Sequence, residues 1–131
     1  MFFNPLVPEL DVTDINKTLD FYCEIIGFKV EYERKEHNFA FLSFQNAQLM
    51  VEQYSGNWKT GELQYPFGRG MNLQIFVSNI AHIEARLNQS NIPLFREMEK
   101  HTYTKNNEQL NMLELLVQDP DGYLLRFSQI I

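Results

Sequence analysis

The chain repeats its own order of elements, and that constrains its fold more than any other feature. Val12-Thr13-Asp14-Ile15 and Val77-Ser78-Asn79-Ile80 are the same junction: the end of an apolar strand, a capping pair, and the first turn of a helix. Junctions of this kind recur in unrelated proteins, so one match carries little. Here the whole order repeats, each half reading strand, helix, then three strands. The expected fold class is therefore α+β: two βαβββ modules forming a curved mixed sheet around a groove, with helices on the outer face. The chain of 131 residues falls within one domain, residues 1–131. Module 1 spans about 4–54, a linker loop 55–70, and module 2 about 71–131.

In the first half, Leu6 to Val12 alternates as a strand. Pro8 within it points to an edge or a crossing point rather than a sheet interior. Thr13 or Asp14 caps a helix whose apolar stripe is Ile15, Leu19, Tyr22 and Ile26, and Gly27 ends it. Strands are expected over 28–34, 38–44 and 48–53, the last two joined at Asn46-Ala47. Residues 54–70 form a loop with glycines, Pro66 and scattered aromatics. The second half then runs as strand 72–77, a helix with stripe Ile80, Ile83 and Leu87, and a break at Asn91-Ile92-Pro93. Strand 94–98, a polar stretch 99–109, strand 111–118 and strand 123–129 complete it. Asp119-Pro120-Asp121-Gly122 is a strong turn signal whose aspartates act on conformation.

Composition narrows the function. The chain carries a net charge of −6, with 10 acids and 5 bases in residues 1–65 and 7 acids and 6 bases in residues 66–131. Such a surface repels nucleic acid and anionic membranes and tolerates cationic ligands. An excess of aromatics, 11 Phe and 6 Tyr, suits a pocket for flat or apolar ligands beyond what the core consumes. Cys23 is the one cysteine, which fits a reducing cytoplasm, and the acids around it make it a structural thiol rather than a nucleophile. The first residues lack the charge and apolar core of a signal peptide, and no apolar run reaches the roughly 18 residues of a membrane span. No nucleophile–base pair, phosphate loop or nucleic-acid signature is present. The expectation is a cytoplasmic protein with no catalytic residues, no cofactor, no nucleic-acid partner and no membrane.

Val12-Thr13-Asp14, Leu19-Asp20-Phe21-Tyr22, Ile26-Gly27-Phe28 and Asp119-Pro120-Asp121-Gly122-Tyr123, in that order, are specific to one group. Through them the chain resembles the vicinal oxygen chelate superfamily of glyoxalases, extradiol dioxygenases and antibiotic-resistance proteins. The resemblance implies a possible metal position at one residue in each module's first strand and one in each last strand, here Val7, Glu52, Asn72 and Arg126. Only Glu52 is a strong ligand, and Arg126 brings a fixed positive charge, so the resemblance implies no metal. Leu6-Val7-Pro8, Gln48-Leu49-Met50-Val51-Glu52 and Asp119 through Gln129 are most similar to the bleomycin resistance proteins. That likeness implies a non-catalytic homodimer, exchanging an N-terminal arm near Pro8 and sequestering a cationic glycopeptide antibiotic such as bleomycin in a dimer cleft. The alternative is a glyoxalase- or dioxygenase-like enzyme with an atypical or absent metal.

Strand parity supplies the candidate ligand-binding residues independently. One parity places Glu9, Asp11, Met50, Glu52, Asn72, Gln74, Phe76 and Arg126 on the face away from the helices, mixing carboxylates, amides and apolar side chains. Dimer burial of the apolar members is compatible with the same list. Glu52 and Arg126 are expected to pair as a structural ion pair. Glu9 and Asp11 are either solvated edge carboxylates or the attraction for a cation. In the loop, Trp58 is the aromatic best suited to stack on a planar ligand, beside Tyr54, Tyr65 and Phe67.

Overall fold

Each module closes its own four-stranded mixed sheet in the computed structural model, which describes residues 1–131. The division falls between Phe67 and Gly68, giving units Met1–Phe67 and Gly68–Ile131. In the first unit β1 (Glu9–Val12) leads into helix α1 (Ile15–Leu19), continued by a π-helical segment (Asp20–Ile26). Strands β2 (Lys29–Arg34), β3 (Phe39–Phe44) and β4 (Ala47–Gln53) follow. The second unit repeats this as β5 (Leu73–Phe76), α2 (Ile80–Gln89), β6 (Arg96–Lys105), β7 (Glu108–Gln118) and β8 (Leu124–Ile130). The sheet orders are β1-β4-β3-β2 and β5-β8-β7-β6, with the first and last strands of each unit parallel and the other pairs antiparallel. This is the α+β architecture read from the repeat. No helix is long and apolar enough to cross a membrane.

The two units also cap their helices in the same way. The Gln53 carboxamide oxygen accepts from the Ile15 N–H at 3.1 Å, and that of Gln129 accepts from the Ile80 N–H at 2.8 Å. A glutamine at the end of the last strand thus satisfies a helix-start donor that has no intrahelical partner. Asp14 adds its own Oδ1 to the Asn16 and Lys17 N–H groups, whereas Asn79 caps by position without a side-chain bond. Gly27 ends the first helix at φ +112°, and Asn91 at φ +57° follows the second. Asp119 holds the turn before β8, its Oδ1 accepting from the N–H of Asp121 and Tyr123. Gly68, at φ +73°, lies so close to Tyr123 that an added Cβ would stand 2.6 Å from the ring.

Four details depart from the sequence reading. Leu6, Val7 and Pro8, expected within the first strand, precede β1, and Leu6 is 82% exposed. Proline has no N–H for the ladder, though its carbonyl still accepts from Met50 at 2.8 Å. The first helix widens into a π turn, so Thr18, Phe21, Tyr22 and Ile26 are the buried set while Ile15 and Leu19 are only half-buried. The turn before β4 is centred one residue earlier, at Gln45 with φ +54°, and Ala47 joins the strand. The polar stretch 99–109 is largely a hairpin: β6 runs to Lys105 and turns at Asn106, φ +55°, into β7.

Candidate functional site

In the first unit the apolar parity (Leu10, Val12, Leu49, Val51) is buried on the helix side. The other parity forms two rows across the sheet. One row reads Glu9, Met50, Phe41, Tyr32, and the next reads Asp11, Glu52, Phe39, Arg34. Carboxylates therefore stand on the β1–β4 side and aromatic rings on the β3–β2 side. Tyr32 stacks on Phe41 with centroids 5.1 Å apart, and the Arg34 guanidinium lies 4.7 Å from the Phe39 centroid and 5.5 Å from that of Tyr32. Glu52 accepts from the Ser55 hydroxyl at 3.3 Å. A pocket of about 390 Å³ opens at the end of these rows, lined by Arg34, Phe39, Glu52 and Tyr54 among others. A second, of about 340 Å³, is lined by Thr13, Gln53, Tyr54, Glu62, Leu63 and Phe67. The N-terminal arm lies on its own unit: Phe3 meets Phe41 edge-on at 5.4 Å, and the Asn4 N–H donates to Gln48 Oε1 at 2.7 Å.

Two acids of this face, Glu9 and Asp11, are held above their ordinary values. Burial raises Glu9, reinforced by the Glu52 and Asp11 carboxylates, while Arg34 opposes the rise. Burial and Glu52 raise Asp11 in the same way. A carboxylate whose folded pKa is raised binds its proton more readily in the folded state. Between the ordinary value of 4.5 and the raised one, the stability of Met1–Phe67 therefore grows as pH falls. Glu9→Gln removes that repulsion. The variant is expected to melt above the parent at neutral pH, with the difference shrinking as acid titrates Glu9, and parallel melting curves at every pH would contradict this.

The second unit is organised around a buried acid within the strand expected over 111–118. Glu114, in β7, is 2% exposed. Its Oε2 accepts from Ser128 Oγ at 2.6 Å and from Gln74 Nε2 at 3.3 Å, and lies 3.6 Å from Arg126 Nη1. Its Oε1 accepts from the Tyr103 hydroxyl. Arg126 Nη2 donates to Gln74 Oε1 at 3.1 Å, and Arg126 Nε is buried with no partner. Burial pushes Glu114 upward, but the bonds from Ser128 and Tyr103 and the Arg126 charge outweigh it and hold the carboxyl below its ordinary value. The same bond to Glu114, followed by burial, raises the Tyr103 phenol. His101 stacks on Tyr103 with centroids 5.9 Å apart.

Most of the expected residues sit on these open faces, with two corrections. Glu9, Asp11, Met50 and Glu52 share the face of the first unit; Gln74, Phe76 and Arg126 share that of the second, where Phe76 is 50% exposed. Asn72 is exposed just before β5. Trp58 is exposed and lines neither pocket, whereas Tyr54 lines both. The first correction concerns pairing: the partner of Arg126 is Glu114, not Glu52. The second concerns register. Arg126 lies opposite Gln74 and Met50 opposite Glu9, and each stands three residues before the glutamine that caps its helix. Met50 is thus the counterpart of Arg126, while Glu52 corresponds to Ser128. The set Val7, Met50, Asn72 and Arg126 contains no strong ligand for a divalent cation and one fixed positive charge, so these residues do not fit a metal centre. The signal legible in the sequence for Glu114 is a single charge within the apolar run Met112-Leu113-Glu114-Leu115-Leu116-Val117, since a lone charge in an apolar strand needs partners.

Comparison with known proteins agrees with the repeat. A Synechocystis protein described as a probable lactoylglutathione lyase is 28% identical over 126 residues, spanning 90% of this chain and 88% of its own length. Among solved structures, a virulence protein from Salmonella typhimurium matches all of both chains with a TM-score of 0.71 at 22% identity. TioX from a Micromonospora species matches 98% of this chain and all of its own with a TM-score of 0.72 at 17% identity. These two likenesses are of fold. The profile of the glyoxalase/bleomycin resistance protein/dioxygenase superfamily spans residues 6–127, and the chain belongs to that superfamily.

Proposed function

We propose that this chain is a non-catalytic binding protein that takes up a cationic, planar small molecule, an antibiotic of the bleomycin type being the first candidate. The observation that carries this reading is the face of the first unit, which Glu9, Asp11 and Glu52 share with Tyr32 and Phe39, Glu52 standing directly opposite Phe39. Acids attract a cation and rings stack on its planar part. At the last-strand position of the second unit, Arg126 bonded to Glu114 and Gln74 supports binding without metal chemistry. On this reading the protein acts in the cytoplasm as a homodimer, in which the arm that packs on Phe41 and Gln48 of its own unit in the single chain is exchanged near Pro8. Cys23 suits such a compartment, its thiol raised to about 11 by burial and by Glu24, Asp20 and Glu33, which leaves it unreactive. Calorimetric titration with bleomycin and phleomycin at low micromolar protein is expected to give saturable heat, and no heat with either would end the antibiotic assignment.

A second reading rests on the probable lactoylglutathione lyase relative. An enzyme of that kind would act on lactoylglutathione. Turnover of that substrate, with a divalent ion surviving dialysis at one per chain, would favour it over the binding reading.

A further inference from the structure

The pocket of about 390 Å³ in the first unit is within the size range of small-molecule sites, roughly 300–1,000 Å³. Its lining pairs one aromatic wall, Phe39 and Tyr54, with two carboxylates, Glu36 and Glu52. A planar cation already lies against Phe39: the guanidinium of Arg34. Arg34 ends the edge strand β2, is solvent-exposed, and is followed directly by the short helical turn Lys35–His37. It rests on the faces of Phe39 and Tyr32, with the Glu9 carboxylate acting on it electrostatically across the sheet. Exposed contacts of this kind are weak and break readily.

We propose that Arg34 is an internal stand-in for the ligand: a planar organic cation of the amidinium or guanidinium class binds this pocket by displacing the Arg34 guanidinium from Phe39. Glu52 then serves as counter-ion to the incoming cation, and Arg34 moves into solvent. The occupied pocket keeps its balance, because one delocalised cation on the ring is exchanged for another. The inference rests on the cationic-ligand reading above and goes beyond it in naming the pocket, the ligand class and the group displaced. Arg34 lowers affinity for any such ligand, both by covering the ring and by repelling a like charge.

Benzamidine, with neutral benzamide as its isostere, is the probe. In titrations of the isotope-labelled 131-residue chain followed by NMR, benzamidine is expected to shift the amides of 34–39 and 52–57, and benzamide to leave them unmoved. Arg34→Gln is expected to tighten the benzamidine Kd about threefold to fivefold, the scale of an exposed cation–π contact. Glu52→Gln is expected to weaken it by a similar factor. An unchanged or weaker Kd for Arg34→Gln overturns the displacement, as do equal shifts with benzamide or shifts confined to residues 68–131. If bleomycin gives no heat while these changes appear, the antibiotic assignment fails and the pocket stands. If bleomycin binds but Arg34→Gln leaves the benzamidine Kd unmoved, the displacement alone fails.

Discussion

Glu114→Ala is expected to destabilise the Gly68–Ile131 unit by about 3–5 kcal/mol, the scale of removing one member of a buried ion pair. The carboxylate is 2% exposed and receives donors from Ser128, Tyr103 and Gln74 as well as the Arg126 charge. Alanine takes the acceptor from the Ser128 and Tyr103 hydroxyls, leaves Gln74 Nε2 with its bond to Ser128 Oγ, and leaves Arg126, already carrying one unpartnered nitrogen, without its counter-charge. The cost lies in the orphaned partners more than in the lost attraction. Replacing Glu114 and Arg126 together, by Leu and Met, is therefore expected to be less damaging than Glu114→Ala alone. Chemical denaturation of the three proteins checks this, and a double variant weaker than the single one would contradict it. Glu114 also gives the unit an acid limit. Its folded pKa lies below the ordinary 4.5, so its contribution is complete above that value. The contribution is lost as pH falls through the depressed value. Acid thus acts oppositely on the two units, relieving Glu9 in one before discharging Glu114 in the other.

The parts of the fold legible in the sequence are those with local chemistry. Gly27, the Asp119–Gly122 turn and the Ile80/Ile83/Leu87 stripe each carry their instruction within a few residues, and all three appear in the structure. Edge strand β6 was harder to read because Arg96–Lys105 is largely exposed and so shows no apolar alternation; its pairing with β7 comes from backbone bonds and the Asn106 turn. The π turn was hidden for another reason. Its sequence, Asp20-Phe21-Tyr22-Cys23-Glu24-Ile25-Ile26, fits an ordinary helix, and only the need to bury Phe21 beside Tyr22 widens it.

The site divides along the same line. Parity was enough to gather Glu9, Asp11, Met50 and Glu52 on one face, since a strand alternates whatever surrounds it. Pairing between strands was not: Glu52 was matched with Arg126 on charge alone, and the ladder gives Arg126 to Glu114 instead. A register offset of two residues keeps every side chain on its face, so no parity argument separates Met50 from Glu52 as the counterpart of Arg126. The aromatic wall escaped for a related reason. Tyr32, Phe39 and Arg34 come together only after β2 and β3 pair, across a bulge between Val30 and Tyr32 that shifts the register.

Tyr22→Ala is expected to cost the Met1–Phe67 unit about 3–5 kcal/mol, as large-to-small changes of buried aromatics do. Tyr22 has no exposed surface and packs edge-on against Phe21 at 5.1 Å and Phe28 at 5.5 Å. Its carbonyl also accepts from the N–H groups of Gly27 and Phe28, at 3.0 and 2.8 Å, and so ties the widened turn to the start of β2. That backbone bond survives the substitution, while the ring that holds the turn against the sheet does not. Tyr22→Phe keeps the ring contacts and removes only the hydroxyl, so its effect is expected to be the smaller of the two. Hydrogen exchange separates this loss from that of Glu114→Ala. Amides of β3 and β4 are expected to exchange faster in Tyr22→Ala, and those of β7 and β8 in Glu114→Ala. Uniform acceleration across the chain in either variant would show that the two units unfold as one.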